Sequence, residues 1–198
     1  GAHFGRANAH EGLAAAAAAA AEATTKADGG GLDSTSSSSS SSSLSLTTEE
    51  RRQYELAVDD YTRCLELRPD GDDAATPTFE RAQAERALGK WSAAAADYDA
   101  AAELFIRRRL KKEAKIAEAQ AAFARYEAGD VATAMTRLET LSRQLYSSDV
   151  RAALVACYWR AGEAAKAEDQ WLGLCEMEGA SCGRYGDKKW LLEYRKWT

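Results

Sequence analysis

Small and apolar residues recur along this chain at helical spacing. In "TFERAQAERALGKWSAAAADYDAAAEL", Ala94, Tyr98, Ala101 and Leu104 follow one another at steps of four, three and three, which places them on one helical face. Tyr54, Ala57, Tyr61, Cys64 and Leu67 repeat that spacing, and Pro69 closes the helix because it cannot continue one. "AQAAFARYEAGDVATAMTRLETL" carries Gly129, Ala134, Leu138 and Leu141, and "ALVACYWRAGEAAKAEDQWLGL" carries Gly162, Ala167, Trp171 and Leu174. The pattern predicts helical hairpins near 1–69, 75–106, 115–146 and 149–177, with the register of the third the least marked.

The first hairpin differs from the others by an interruption. Phe4, Arg6, Ala7, Ala9 and Leu13 match Phe79, Arg81, Ala82, Ala84 and Leu88, so the opening helix is written twice. Its partner helix then comes late: the stretch from Phe4 to Pro69 is more than twice as long as that from Phe79 to Ile106. A segment near 14–51 is therefore inserted between the two helices of the first hairpin. It comprises poly-Ala, Gly29–Gly31 and poly-Ser. Ala14–Ala21 can extend the first helix, Gly29–Gly31 must break it, and Ser36–Ser43 holds nothing to bury. A largely disordered surface loop is expected there, with a phosphorylated or partner-ordered segment as the alternative. A solenoid tolerates such a loop because closure entropy grows only with the logarithm of length.

The second-helix alanines Ala57, Ala94, Ala134 and Ala167 recur at nearly even intervals, the longest between Ala94 and Ala134. This resembles the tetratricopeptide repeat (TPR) family, whose period is about 34. Small residues alternating with large ones at steps of four and three are that family's interhelical packing code. The resemblance implies an all-α fold, a right-handed superhelix of about four hairpins over 1–177 with a cap or tail at 178–198. It also implies that the first helix of each hairpin lines a concave face. In this register that face presents Phe4, Asn8, Phe79, Gln83, Arg86, Phe123, Tyr126 and Trp159, a mixture suited to an extended peptide or partner helix. The carboxylate clamp of heat-shock co-chaperones is excluded. Its positions hold Phe4, Asn8, Glu80, Ile116 and Gln120, where only Asn8 fits and Glu80 would repel a terminal carboxylate.

Composition narrows the function without naming it. The chain has 198 residues and a net charge of −5, which argues against a general nucleic-acid binder. No apolar run is long enough to span a bilayer. No initiator Met, signal or transit peptide is visible and Gly1 lies almost inside the first predicted helix, so a segment upstream is expected. The two histidines, His3 and His10, sit near one terminus, and "DGGGLD" lacks the ending of a phosphate loop. No catalytic residue, cofactor or metal site is expected, and the protein reads as a non-enzyme. Cys64 and Cys157 read as small core residues. Cys175 and Cys182 could approach one another, but reduced thiols are the expectation.

Two segments lie outside the repeat pattern. "IRRRLKKEAK" concentrates Arg107, Arg108, Arg109, Lys111 and Lys112. It reads as a helix C-terminus whose cations complement the dipole, or as a contact for RNA or another anionic surface. The long step from Ala94 to Ala134 places it at a lengthened, exposed connection. The tail "RYGDKKWLLEYRKW" resembles that of a group of cyanobacterial and chloroplast TPR proteins, a Tyr-x-Asp-x-x-Trp-Leu segment before an Arg-x-Trp-Pro-like end. Tyr185, Asp187, Trp190, Leu191, Arg195 and Trp197 match, while the chain stops at Thr198 before any proline. Homopolymeric Ala and Ser tracts are common in green-algal nuclear genes. Together these imply a plastid protein, at the stroma or the thylakoid or envelope surface, with the cytoplasm as the alternative. The expected role is a protein–protein interaction scaffold, either an assembly factor or an associated subunit of a photosynthetic complex. Trp190, Leu191 and Tyr194 are expected to cap the last hairpin near Trp171 and Leu174, and Trp197 to reach a partner.

Overall fold

A computed structural model describes residues 46–67 and 73–191. Phe4, Asn8, the first predicted helix, the insertion up to Ser45, Tyr194, Arg195 and Trp197 lie outside the described residues. Within them the chain is helical and no strand occurs: α1 (Thr48–Leu67), α2 (Ala75–Ala87), α3 (Trp91–Arg107), α4 (Lys111–Glu127), α5 (Val131–Gln144), α6 (Ser148–Arg160) and α7 (Ala164–Glu178). A 3₁₀ segment, Gly179–Gly186, and a single helical turn, α8 (Lys188–Trp190), follow. Each of α1 to α7 packs against its neighbours in sequence, and α4 also touches α6.

Helix α1 starts where its sequence caps it. The Glu50 backbone N–H donates to Thr47 Oγ1 at 3.2 Å, and Glu50 Oε2 accepts from the Thr47 N–H at 2.7 Å. This reciprocal capping box satisfies two end donors and buries Glu50. Residues 48–51, assigned from the sequence to the insertion, are therefore helix.

Four of the turns between helices are the same turn. Gly89, Arg109, Gly129 and Gly162 all have positive φ, at 73, 62, 90 and 78°. In each, that residue's N–H and the next one's reach back to carbonyls of the preceding helix, as in Gly129 N–H to Tyr126 and Asp130 N–H to Arg125. The α5–α6 turn differs: Leu145 is extended and Ser147 caps Val150.

The extra length between Ala94 and Ala134 sits in helices and not in a connection. Helices α3 and α4 have 17 residues each, against 13 or 14 in α2, α5 and α6. Residues 108–110 form the same short turn as 88–90 and 128–130. The third hairpin thus begins at Lys111 instead of 115, and the basic run is split between the end of α3 and the start of α4.

Most of the periodic positions form the core, but Leu67 is 58% exposed and Tyr54, Cys64, Leu104 and Trp171 are half-buried. Ala57, Tyr61, Ala94, Tyr98, Ala101, Ala134, Leu138 and Leu174 are fully buried, with Leu141 and Ala167 at 2% exposure. Helix α4 buries six alanines, so α3 and α5 can approach its backbone closely. Large side chains fill the spaces left between. Leu138 is one, and burying such a side chain contributes about 1.5–3 kcal/mol. Phe79 packs edge-on to Tyr98 at 5.2 Å and to Phe105 at 6.2 Å.

Polar ties cross the same layers. Arg81 of α2 holds Asp97 of α3 through Nε at 2.5 Å and Nη2 at 2.9 Å, while its Nη1 reaches Thr62 of α1 at 3.2 Å. Asp99 of α3 accepts from Arg125 of α4 and from Arg137 of α5, the latter at 2.5 Å.

The C-terminal segment closes the last hairpin. Ala152, Leu174 and Tyr185 are buried together, with Trp171, Cys182, Trp190 and Leu191 packed against them. The Tyr185 hydroxyl donates to Asp149 Oδ1 at 2.8 Å, and its ring meets Trp190 edge-on at 5.1 Å. Asp187 Oδ1 accepts from the N–H groups of Lys189 and Trp190, at 2.9 and 3.3 Å, and so starts the final turn.

Contrary to the reduced thiols expected, Cys175 and Cys182 are joined as a disulfide. Gly179 takes φ 56° as the C-cap of α7, and the 3₁₀ segment returns the chain until the two Cα atoms are 4.9 Å apart. That lies in the range a disulfide requires. Cys157 is buried as expected, whereas Cys64 is only half-buried.

Candidate partner-binding surface

The predicted groove residues fall on α2, α4 and α6, and the structure gives them different roles. Phe79 is a packing residue between α2 and α3, held by the two ring contacts described above. Gln83 donates to Glu80 at 2.6 Å, one turn back on the same helix. Burial pushes the Glu80 carboxyl above its ordinary value, and the Gln83 bond opposes that shift. Arg86 Nη1 donates to Gln120 Oε1 at 3.2 Å, joining α2 to α4. Phe123 and Tyr126 are half-buried against the core cluster of α4, α5 and α6. Arg160 of α6 lies over the Tyr126 ring, 5.1 Å from its centre, as a cation–π contact. Trp159 alone of the groove set within the described residues is well exposed, at 68%.

Contacts along the predicted groove join α2 to α4 through Arg86 and Gln120 and α4 to α6 through Tyr126 and Arg160, and Trp159 is exposed on α6. The groove's donors and rings are oriented by neighbours, which lowers the entropy a ligand would have to remove. An exposed indole and a Tyr–Arg stack are residue types enriched in binding hot spots.

The basic residues lie elsewhere. Arg107, Arg108, Arg109, Lys111 and Lys112 are all exposed at the α3–α4 turn. Lys111 and Lys112 occupy the first turn of α4, so they face the positive end of its dipole and not a helix C-terminus as the sequence suggested.

One surface was not anticipated. A cleft of about 550 Å³ lies where α6 and α7 meet the α5–α6 turn, lined by Tyr146, Arg151, Leu172 and Met177 among others. Tyr146 and Leu172 are 82% and 64% exposed. The repeat pattern gave no signal for it, because both side chains stand off the packing face.

Chemistry among the described residues is sparse. Burial raises the Cys157 thiol to about 11, with Arg160 opposing, so the thiolate is not accessible near neutrality. Tyr158 is raised to about 12, first by burial and then by donating to Glu139 at 2.5 Å, and acts as a neutral donor. Among the described residues no group of His, Cys, Asp or Glu could hold a metal ion, and no helix is long and apolar enough to cross a membrane.

Comparison of the chain with family models, curated proteins and solved structures finds no match in any of the three.

Proposed function

We propose that this protein is a TPR-type helical solenoid that acts as a non-catalytic scaffold, gripping a segment of a protein partner along the α2, α4 and α6 surface. The observation that carries this reading is Trp159, an indole left in solvent at the end of α6, next in sequence to Arg160 of the Tyr126–Arg160 stack. Supporting it are the recurring small-and-large packing code and the repeated Gly turn. An extended peptide or a single helix fits such a surface, with the ring faces as anchors and Arg86 and Gln120 as polar contacts. The tail resemblance adds the setting: an assembly factor or associated subunit of a chloroplast membrane complex, reached from the stroma or a thylakoid or envelope surface. Within that resemblance Tyr185, Asp187 and Trp190 serve the cap, and Trp197 is assigned to the partner.

The test compares the parent protein with Trp159→Ala and Tyr126→Ala in pull-downs from fractionated chloroplast extract. Both variants should recover at least about tenfold less of the partner, as expected for hot-spot truncation. Trp159→Ala should melt like the parent, because its side chain is mostly in solvent. Undiminished recovery by both folded variants would move the binding site off this surface.

A further inference from the structure

The α3–α4 turn departs from local structural preference in three ways at one place. Arg109 takes φ 62° where the three equivalent turns have glycine, a conformation that a side chain disfavours. Lys111 and Lys112 stand in the first turn of α4, against its dipole, behind a Leu110 N-cap that makes no side-chain bond. Five cations crowd into positions 107–112. Among the described residues Arg108 meets Asp73 at 3.6 Å and the other four have no carboxylate partner. Arg107, Arg108 and Arg109 complement the C-terminal end of α3, and Leu110 packs on the α3–α4 cluster; the placing of Lys111 and Lys112 has no such return, and departures of that kind mark functional sites.

Helices α3 and α4 are both lengthened toward this corner. Helix α4 has 17 residues, whereas α2 and α6, the first helices of the neighbouring hairpins, have 13 each. All three end at the same glycine turn, so the added length lies at the start of α4. That extra helical turn adds about 6 Å to α4 at this corner. Ile106, 55% exposed, stands in the last turn of α3 just before the cations.

We propose that this tip is a docking point for an anionic lipid bilayer. Ile106 borders a cleft that also holds Asp99, Glu103 and Glu118, acids that disfavour an acidic peptide there, and "IRRRLKKEAKI" has no aromatic side chain on which bases could stack. A bilayer surface needs only clustered cations and an apolar side chain to enter the headgroup layer. The rest of the chain carries −10 once these five cations are set aside from the net −5. That charge would be repelled by the same surface, and screening over about 8 Å at physiological salt limits the repulsion to acidic groups near the corner. Each cation near such a surface strengthens binding roughly fivefold, so the tip gives reversible, salt-sensitive attachment. The inference is independent of the α2, α4 and α6 surface.

The test is flotation of the full chain with vesicles of phosphatidylcholine alone and of equal parts phosphatidylcholine and phosphatidylglycerol. The parent should float only with the anionic vesicles, and less as salt rises. Arg109→Gly combined with Lys111→Glu and Lys112→Glu should reduce that binding at least about tenfold. Those changes relieve the local strain and the dipole conflict, so the variant should melt no lower than the parent and loss of binding cannot be unfolding. Trp159→Ala should float like the parent. Equal binding to neutral vesicles, or full binding by the triple variant, would overturn the proposal. So would tighter binding of polyuridylate or polyglutamate than of anionic vesicles through the same residues.

Discussion

Glu85 sits on α2 beside the Arg81–Asp97 pair, and one of its carboxylate oxygens is buried without a hydrogen-bond partner among the described residues. Burial, then the charge of Asp97, raises its carboxyl above the ordinary value of 4.5, against the pull of Arg81 and Lys90. The proton is thus held more tightly in the folded state than in the unfolded chain. Its contribution to stability is complete below 4.5 and is lost as pH rises through the raised value. Glu80 acts in the same direction through burial. Glu85→Gln should therefore raise the urea midpoint at pH 7 and have little effect below pH 4.5. A variant that loses stability at pH 7, or gains equally at both, would show that the carboxylate is satisfied in solution.

At the scale of elements, the C-terminal cap is built on α6 and α7 from the Tyr185–Asp149 bond, the Asp187 turn and the Cys175–Cys182 disulfide. The disulfide closes a short loop, its cysteines 7 positions apart in sequence. For a loop of that size chain entropy predicts about 2.5 kcal/mol. Replacing both cysteines by serine should lower stability by about 2 kcal/mol, measured by urea unfolding. Trp190 is half-buried and not enclosed, so Trp190→Ala should cost about 2 kcal/mol, below the roughly 3–5 kcal/mol of a fully buried ring. If neither change moves the midpoint, the cap is not part of the cooperative unit.

Across the whole molecule, contacts run from each helix to the next, so stability is shared along the stack and its ends depend on one neighbour. Asp99 is where three consecutive helices are tied through one side chain. Asp99→Ala leaves Arg125 and Arg137 partly buried without that partner and should cost about 1–2 kcal/mol. Hydrogen exchange should then accelerate first in α3, α4 and α5, with α7 unchanged. Uniform acceleration through α7 would mean that the stack opens as one unit.

The sequence by itself determined the helices and their buried faces. Alanine at one position, a large residue four on and another three beyond leaves only one helical stripe to bury, and glycine marks the turns that need positive φ. It also carried the Tyr185–Trp190 cap, whose partners lie close together along the chain; the Thr47–Glu50 box is equally local but was read as part of the insertion. The tertiary structure alone decided which polar residues are satisfied. Arg81 and Asp97 are 16 residues apart, Asp99 and Arg125 are 26, and Asp99 and Arg137 are 38. No local pattern links them, so only helix packing brings each carboxylate to its guanidinium. The same packing turned Phe79 inward and left Trp159 in solvent, although both were read as groove residues. It also put Arg109 at a glycine's φ and left Lys111 and Lys112 without a carboxylate partner among the described residues. It joined Cys175 to Cys182 because Gly179 reverses the chain after α7, a backbone event that the spacing of two cysteines permits but cannot dictate.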